Sequence, residues 1–548
     1  MKINKLFLFI IIFFLVPVVL VQGCMLPFLP VAAPQPVAEV AEPEDEPEED
    51  EPVVVIPPQP GQFTLRYEPE HNNFTMNPIT ARNRDNIVLG SLLYESLFIL
   101  DDYLRPVPIL CENWETDDFI TYTFDLYPDI AMHDGSSLTA DDVTYSLRQA
   151  MQRGRHSNKL RSVSSINSTD DLTVTIVLNS PNARFIRLLD IPIIKSGSID
   201  YRIPPGTGPY IFPTSDAMQL TRFRSHRNYN DLPLSTIYLL ECYDSDLTDF
   251  FDDGRLSLLW DDPTSAFDIR INRQHEPRLF NTTAIQYIGF NAHSPVLRHQ
   301  DIRRAIGCSI ERQYIVDNIM NVPRPGQAIP AHVAFSPIFD LYDPAWEDRQ
   351  MDPLIEMAAL VERIGLEDRF NESFLAMPDG YGNFTRFTLD FIVNIENSHK
   401  LIAANRIADN LRQYGFNVNV RGLQWTDFIK ELEAGTFDMY YGEILLGADF
   451  DLSPLLLPGD ENINYGRTGN TAYKPLIDAF LAASTQEEVS EAGAQLNLAI
   501  LQAAPFIPIL YKKYAVYTPP GVLTGAAPGQ SGVFHNFQDW SIDLYMLN

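Results

Sequence analysis

A strand–helix–strand pattern between residues 387 and 420 constrains the fold of this chain more than any other feature. Two short segments in it alternate apolar and polar residues, which is typical of strands with one buried face. Their apolar positions are Phe387, Leu389, Phe391 and Val393 in the first segment, and Phe416, Val418 and Val420 in the second. Between them, Ser398 can cap a helix and Gly415 can end it. The apolar face of that helix is Leu401, Ala404, Ala408 and Leu411. Two strands joined by a helix form a βαβ unit with parallel strands, so the sequence predicts the α/β class.

A second region combines strands with a helix in the same way. Alternating residues predict one strand at Tyr122, Phe124 and Leu126 and another at Leu172, Val174, Ile176 and Leu178. Between them, Thr139 is followed by Asp142 at the third helical position. This spacing is typical of a helix N-terminus at which the two side chains satisfy each other's free backbone N–H groups. The apolar face of that helix is Val143, Leu147 and Ala150 with Met151.

The first 23 residues have the pattern of a secretory signal. Lys2 and Lys5 precede the apolar run 6–21, which is shorter than the roughly 20 residues that span a bilayer. The run ends in Leu20-Val21-Gln22-Gly23-Cys24, which resembles the lipobox of bacterial lipoproteins. We therefore expect residues 1–23 to be removed and Cys24 to carry the lipid. The alternative is an uncleaved signal anchor with an incidental cysteine.

Residues 24–60 are predicted to be an extended tether. They contain ten prolines and nine acidic residues, and this composition cannot bury a hydrophobic core. At about 3.1 Å per residue, such a segment reaches on the order of 110 Å. It would hold a folded body that begins near residue 61 away from a membrane surface.

Charge and cysteine content exclude two broad classes of protein. The chain has 72 acidic and 40 basic residues, a formal net charge of −32, which repels the phosphate backbone of nucleic acids. Its four cysteines, at 24, 111, 242 and 308, contain no CxxC spacing. If Cys24 is acylated, three remain, and we expect them to be small buried residues rather than a disulfide framework.

Three conspicuous motifs favour structural roles. His133-Asp134-Gly135 is expected to be a turn that leads into the Thr139 helix, and Gly206-Thr207-Gly208-Pro209 a tight turn. Arg303 and Arg304 lie in a helical pattern whose inward positions are Ile302, Ile306 and Ile310. Both arginines are therefore expected on a solvated or salt-bridged face.

A series of short segments resembles the family 5 extracellular solute-binding proteins, the peptide- and nickel-binding components of ATP-driven importers. Their order and spacing carry the resemblance, which covers roughly residues 63–510. The segments are Leu93-Tyr94-Glu95-Ser96-Leu97, Trp114-Glu115, Tyr122-Thr123-Phe124, the run 133–143, Gly206-Thr207-Gly208-Pro209-Tyr210, Gly289-Phe290-Asn291, the run 301–306 and Glu311-Arg312.

The resemblance implies a fold of two α/β lobes, the type II periplasmic-binding-protein clamp, with a hinge and a central ligand cleft. Lobe I would span residues 61–282 and take back residues 506–548. Lobe II would span residues 283–505. The chain would cross between lobes near Tyr287–Asn291 and Pro505–Tyr511.

The resemblance also implies ligand-binding residues. Gly447-Ala448-Asp449-Phe450 is similar to the cleft segment of oligopeptide binders, in which a carboxylate receives the ammonium group of the peptide. Asp449 is then the expected acceptor, with Gly447, Phe450 and Asn291 beside the ligand. The alternative is a solvated loop aspartate. Leu446 stands where peptide binders commonly have a tryptophan, which affects the expected shape of the site.

The predicted function is that of an extracellular or periplasmic lipoprotein of an ABC importer, which captures peptides by closing its lobes. It would be a monomer that works with permease subunits, contacts the membrane only through its lipid and needs no cofactor, metal or nucleic acid. No HExxH, Walker or GxSxG motif indicates an enzyme. The alternatives are a nickel chelate or an oligosaccharide as ligand, or a surface receptor or sensor without a role in transport.

Overall fold

The structure, a computed structural model, describes residues 61–67, 75–215, 217–266, 269–347, 353–370, 373–379, 381–459, 463–468 and 471–547. All of them lie in one compact unit, Pro57–Asn548. The predicted signal sequence, Cys24 and the predicted tether lie outside the described residues. Within those residues, no helix combines the length and apolar character that membrane crossing requires.

The body alternates strands and helices, as the α/β class predicts. The strands are β1 Thr64–Tyr67, β2 Phe98–Leu100, β3 Pro106–Pro108, β4 Cys111–Glu115, β5 Thr121–Leu126, β6 Val163–Ser168, β7 Thr173–Leu178, β8 Tyr210–Ile211, β9 Gln219–Arg222, β10 Thr236–Glu241, β11 Leu259–Asp261, β12 Glu276–Phe290, β13 Ala328–Pro330, β14 Ala376–Pro378, β15 Phe384–Arg386, β16 Leu389–Asn394, β17 Val418–Leu423, β18 Met439–Leu445, β19 Phe506–Thr518, β20 Leu523–Thr524 and β21 Ser541–Ile542. The α-helices are α1 Arg84–Gly90, α2 Ala140–Gln152, α3 Leu247–Asp252, α4 Gln300–Cys308, α5 Arg312–Ile315, α6 Pro353–Ile364, α7 Ser398–Gln413, α8 Trp425–Ala434, α9 Ser453–Leu456, α10 Tyr473–Ala482 and α11 Gln486–Ala503.

The largest sheet is organised around two long antiparallel strands, β12 and β19. Its order is β11-β19-β12-β18-β16-β17, with β13 added on β19. The register between β12 and β19 breaks between Asn281 and Ile285, and such irregularities bend strands. This break falls at the predicted boundary between residues 282 and 283, although the division into those particular lobes stays a prediction.

The predicted βαβ unit is confirmed. Strands β16 and β17 are parallel and α7 connects them, with Ala404, Ala408 and Leu411 buried. The predicted cap is wrong by one residue, because the side chain of Asn397 accepts the Lys400 N–H and Ser398 is already helical. Gly415 follows the helix with a φ of 84°, a left-handed conformation that glycine adopts without steric cost.

A separate four-stranded antiparallel sheet, β4-β5-β7-β6, packs with α2 around its own apolar core. The predicted helix start is confirmed, since Thr139 and Asp142 form the reciprocal cap. Gly135 turns the preceding loop at a φ of 84°. A second four-stranded sheet, β1-β10-β9-β8, contributes to another core, which also contains residues of the C-terminal segment.

The expectation for Arg303 is wrong. The three inward-facing isoleucines of this pattern are buried, but so is Arg303, which is 7% exposed. Its guanidinium donates to the carbonyls of Ala503 and Ala504, at the end of α11, and to that of Leu297. Carbonyls at a helix C-terminus have no partner within the helix, so a cation is favourable there.

The three cysteines in the described ranges are free thiols. Cys111 and Cys242 are buried, as expected, while Cys308 is only partly buried.

Candidate functional site

A cavity of about 650 Å³ lies beside the end of β18. Residues 445–448, which belong to predicted lobe II, form one part of its wall, and residues 529–538 of the C-terminal segment form another. Most of the remaining wall comes from residues of predicted lobe I. Ligand pockets in proteins are commonly about 300–1,000 Å³, so the cavity has the size of a small-molecule site.

Gly447 is the one predicted site residue that lines this cavity. A Cβ atom at this position would lie 2.6 Å from Oδ1 of Asp449 and 3.3 Å from Cδ2 of Leu188. Only glycine lets the backbone approach these two side chains so closely.

Asp449 is buried, and its carboxylate already has protein partners. It accepts a hydrogen bond from Nδ2 of Asn182 at 2.9 Å and one from the backbone N–H of Asp451 at 3.3 Å. Burial raises the pKa of this carboxyl group, and the negative charge of Asp451 raises it further, while the Asn182 bond opposes the effect. The proposed bond from Asp449 to a ligand ammonium group stays a prediction.

Phe450 and Asn291 also lie away from the cavity wall. Phe450 is fully buried in the core, with its ring 5.0 Å from that of Phe339, and has a left-handed φ of 57°. Asn291 follows β12 and donates its side-chain amide to the carbonyls of Gly435 and Phe437 at 3.0 and 2.9 Å. These contacts give both residues a structural role. Their contact with a ligand stays a prediction.

The sequence analysis did not predict the charged lining of the cavity. Six positively charged side chains line it: Arg82, Arg84, Arg155, Lys159, Arg187 and Arg227. Among the described residues that line it, only Glu95 and Asp190 are acidic. These residues come from separate segments of the chain, so no local spacing brings them together in the sequence.

Three of the cations are paired with carboxylates. Lys159 contacts Asp190 at 2.5 Å. Arg187 binds both carboxylate oxygens of Asp340, at 2.8 and 3.2 Å. Arg227 binds both oxygens of Glu95, at 3.1 and 2.6 Å.

Arg155 lies beside a buried histidine. Its Nε donates to Nε2 of His156 at 3.2 Å. Burial lowers the pKa of His156 to about 2, and the positive charges of Arg155 and Lys159 contribute to this shift. The imidazole is therefore neutral at physiological pH, so that it can accept the hydrogen bond.

The rest of the wall is rich in aromatic side chains. Arg84 lies 3.9 Å from the ring centre of Trp260 and 5.1 Å from that of Tyr514, distances at which a cation is attracted to a ring face. The lining aromatic residues are Tyr94, Trp260, Phe280, Tyr514, Phe534 and Phe537.

A set of contacts joins predicted lobe I to predicted lobe II. Arg184 is 3% exposed and donates to the carbonyls of Phe480 at 2.6 Å and Ala483 at 3.0 Å. Burial lowers the pKa of Arg184 to about 10, while the charge of Asp449 opposes this change. Arg161 forms an ion pair with Asp451 in the same region. A cavity bordered by residues of both predicted lobes is the arrangement expected of a protein that holds a solute between its lobes.

Comparisons with known proteins agree with this class. Residues 105–460 match the family model described as "Bacterial extracellular solute-binding proteins, family 5 Middle". The chain belongs to this family, and its fold is the type II periplasmic-binding-protein clamp.

Relatives within the family bind different solutes. The chain is 23% identical to heme-binding protein A of Haemophilus influenzae over 74% of this chain and 78% of that protein. It is also 23% identical to the periplasmic oligopeptide-binding protein of Salmonella typhimurium, over 80% of this chain and 85% of the relative. A solved structure from Campylobacter jejuni, in complex with nickel and L-histidine, matches with a TM-score of 0.66 at 18% identity, over 88% of this chain and all of the other. Membership therefore establishes solute binding and leaves the solute open.

Proposed function

We propose that this protein captures peptides outside the cell membrane and delivers them to the permease of an ABC importer. The observation that carries the proposal is the cavity of about 650 Å³ whose wall combines Leu445–Ala448 with residues of predicted lobe I. A solute held there contacts both lobes only when they are closed. Its binding therefore shifts the population towards the closed form.

The peptide as ligand is supported by the resemblance of the 447–450 segment to oligopeptide binders and by the named oligopeptide-binding relative. The cavity is large enough for a short peptide. Aromatic residues in its wall suit side chains of varied shape, since apolar contacts have little directional demand.

The experiment that tests this proposal is the identification of the retained ligand. The full-length protein is purified from the membrane without added solutes and denatured, and the released small molecules are analysed by mass spectrometry. We expect one or more short peptides in stoichiometric amount. Release of nickel with a small chelator, or of an oligosaccharide, would replace the peptide assignment with one of its alternatives.

Transport is separated from sensing by an uptake measurement. Deleting the gene should abolish uptake of the identified ligand in isotope-labelled form, and the wild-type gene should restore it. Unchanged uptake with an altered transcriptional response to the ligand would indicate a surface receptor instead.

We propose further that Cys24 anchors the protein through a covalently attached diacylglyceryl group. The support is the segment Leu20–Cys24 together with the charged start and short apolar run before it. Cys24→Ala should yield protein without acyl chains, either released from the membrane or retained as the uncleaved precursor. Mass spectrometry of the N-terminal peptide shows whether it is cleaved and acylated. Wild-type protein with Met1 intact and no acyl chain would contradict the proposed anchor.

A further inference from the structure

The cavity carries a charge opposite to that of the whole protein. The chain has a formal net charge of −32, yet six basic and only two acidic side chains line the cavity. At physiological ionic strength, charges more than about 8 Å apart are largely screened by salt. A solute in the cavity therefore experiences mainly the lining residues, together with the buried carboxylates of Asp85 and Asp261, which interact with Arg84 without pairing with it.

Three lining arginines form no ion pair with a carboxylate in the described part of the chain. Within the described part of the chain, no carboxylate oxygen lies within 4 Å of Arg82, Arg84 or Arg155. All three side chains are exposed and remain accessible to a solute. By contrast, Lys159, Arg187 and Arg227 are already paired.

Two of the three arginines are held in place by their neighbours. Arg155 donates to the neutral ring of His156, and Arg84 lies over the face of Trp260. Neither contact neutralises a charge. Both guanidinium groups therefore keep their charge and several N–H donors while losing part of their freedom, which lowers the entropic cost of binding an anion.

Among the described residues, the cavity wall offers no comparable acceptor for a cationic group. Its two lining carboxylates, those of Glu95 and Asp190, are occupied by Arg227 and Lys159. The carboxylate of Asp449 is not in the wall and is hydrogen-bonded to Asn182.

We propose that the ligand of this cavity is an organic anion, with one or more carboxylate or phosphate groups joined to an apolar or aromatic body. The anionic groups bind Arg82, Arg84 and Arg155, and the body packs against the aromatic wall. This inference rests on the proposed function, because it assumes that the cavity is the solute site, and it adds the charge of the solute. Among peptides, it favours those with a free carboxylate and no uncompensated positive charge.

The test uses matched probes that differ only in charge. The tripeptide Ala-Trp-Ala is prepared in four forms: unmodified, N-acetylated, amidated at the C-terminus, and blocked at both ends. Benzene-1,3,5-tricarboxylate and its triamide form a second pair that is not peptidic. Each is titrated calorimetrically into the full-length protein in lipid nanodiscs after removal of retained ligand.

We expect the acetylated tripeptide to bind at least about tenfold more tightly than the doubly blocked form, since hydrogen bonds to a charged group contribute roughly 1.5–3 kcal/mol. The amidated cation should bind weakest. Preference for the tricarboxylate over both tripeptide acids would identify a non-peptide anion as the ligand class. In that case the anion inference holds while the peptide assignment fails.

Variants test whether the named arginines are responsible. Arg155→Gln and Arg84→Gln should each weaken anion binding by about tenfold and leave the doubly blocked peptide unaffected. Arg412→Gln is the matched control, because it removes the same charge from α7, where Arg412 pairs with Asp409 away from the cavity. Melting curves of all variants verify folding.

The inference is overturned if the charged and neutral forms of each probe bind equally, or if Arg155→Gln and Arg84→Gln behave like the control. Equal binding of all four tripeptides retains the proposed function and removes only the anion preference. Failure of every anion to bind overturns the anion inference. The proposed function fails with it only if the unmodified and amidated tripeptides do not bind either.

Discussion

At position 449 a carboxylate is buried beside a second one, that of Asp451. Two negative charges this close are tolerated because Arg161 pairs with Asp451 and Asn182 donates to Asp449. Even so, burial and the neighbouring charge hold the pKa of Asp449 above its usual value. The protein surroundings therefore disfavour the charge that a ligand-binding role requires, so a ligand ammonium group would have to supply the compensating positive charge.

Asp449→Asn distinguishes the structural role from the ligand role. The amide oxygen can still accept from Asn182, and the repulsion with Asp451 disappears. We therefore expect the free energy of unfolding to change by less than about 1 kcal/mol. Free and N-acetylated tripeptides should lose the same affinity, or none. Calorimetry with both peptides on both proteins measures this cycle.

The opposite outcome would support the sequence-based prediction that Asp449 binds the ligand. If Asp449 receives the ligand ammonium group, the free peptide alone should lose roughly 2–5 kcal/mol of binding free energy. The difference between free and acetylated peptide would then shrink in the variant.

Single residues also show which features of this protein can be predicted from its sequence. The cap formed by Thr139 and Asp142 was predictable because its partners are three positions apart. The burial of Arg303 was not, because its acceptors at Ala503 and Ala504 lie 200 and 201 positions away. The cavity could not be predicted for the same reason, because its cations are brought together only by the tertiary fold.

At the scale of elements, the central sheet is tied together by a cluster of buried charges. Lys512 on β19 is 2% exposed and pairs with Asp262 and with Glu443 on β18. Lys400 on α7 contacts Glu443 at 3.0 Å. Burial alone would raise the pKa of Glu443, but the two lysines outweigh it and lower the pKa to about 2.

Glu443→Gln should be strongly destabilising. Removing the carboxylate leaves two lysines with one acidic partner fewer in a buried environment, which costs about 3 kcal/mol of unfolding free energy. Urea unfolding at pH 7 measures it. Glu311→Gln is the matched control, since Glu311 is half exposed and its ion pair with Arg406 is worth at most about 1 kcal/mol.

The pH dependence follows from the same shift. The pKa of Glu443 falls from a usual 4.5 to about 2 on folding, so its contribution is complete above about pH 4.5. It is lost as the pH falls through about 2, because the carboxylate becomes protonated. The stability difference between wild type and Glu443→Gln should therefore be constant near neutral pH and shrink below pH 4.5. A difference that stays constant down to pH 2.5 would contradict this role.

Elements built from local patterns were predicted, while those that depend on distant partners were not. The unit β16-α7-β17 follows from hydrophobic periodicity, apart from the one-residue error at Asn397. The sheet order around β12 and β19 could not be predicted from hydrophobic periodicity, because these strands pair across more than 200 residues of sequence. The two-lobe clamp was instead predicted from the family resemblance, because periodicity alone does not indicate it.

For the molecule as a whole, we expect the contacts between predicted lobes to set the balance between open and closed forms. Arg184 donates to the last carbonyls around the end of α10 and lies 4.4 Å from the ring centre of Phe480. The hydrogen-bond acceptors of its guanidinium are all in predicted lobe II, so this side chain stabilises only arrangements in which the lobes touch. Each 1.4 kcal/mol that it contributes changes the ratio of closed to open forms about tenfold.

Arg184→Gln should open the ligand-free protein. We expect a larger radius of gyration in small-angle scattering of the full-length protein. The apparent affinity for ligand should fall in proportion to the decrease in the fraction of closed molecules. Saturating ligand should bring the radius back towards the wild-type value, because the ligand still binds the closed form more tightly. Arg148→Gln is the matched control: Arg148 donates to the Ile166 carbonyl within predicted lobe I, so its loss removes a charge and a hydrogen bond without touching the other lobe. If both variants leave the radius unchanged, or expand it equally, Arg184 does not govern closure, and other contacts between the predicted lobes, such as Arg161 with Asp451, remain to set the balance.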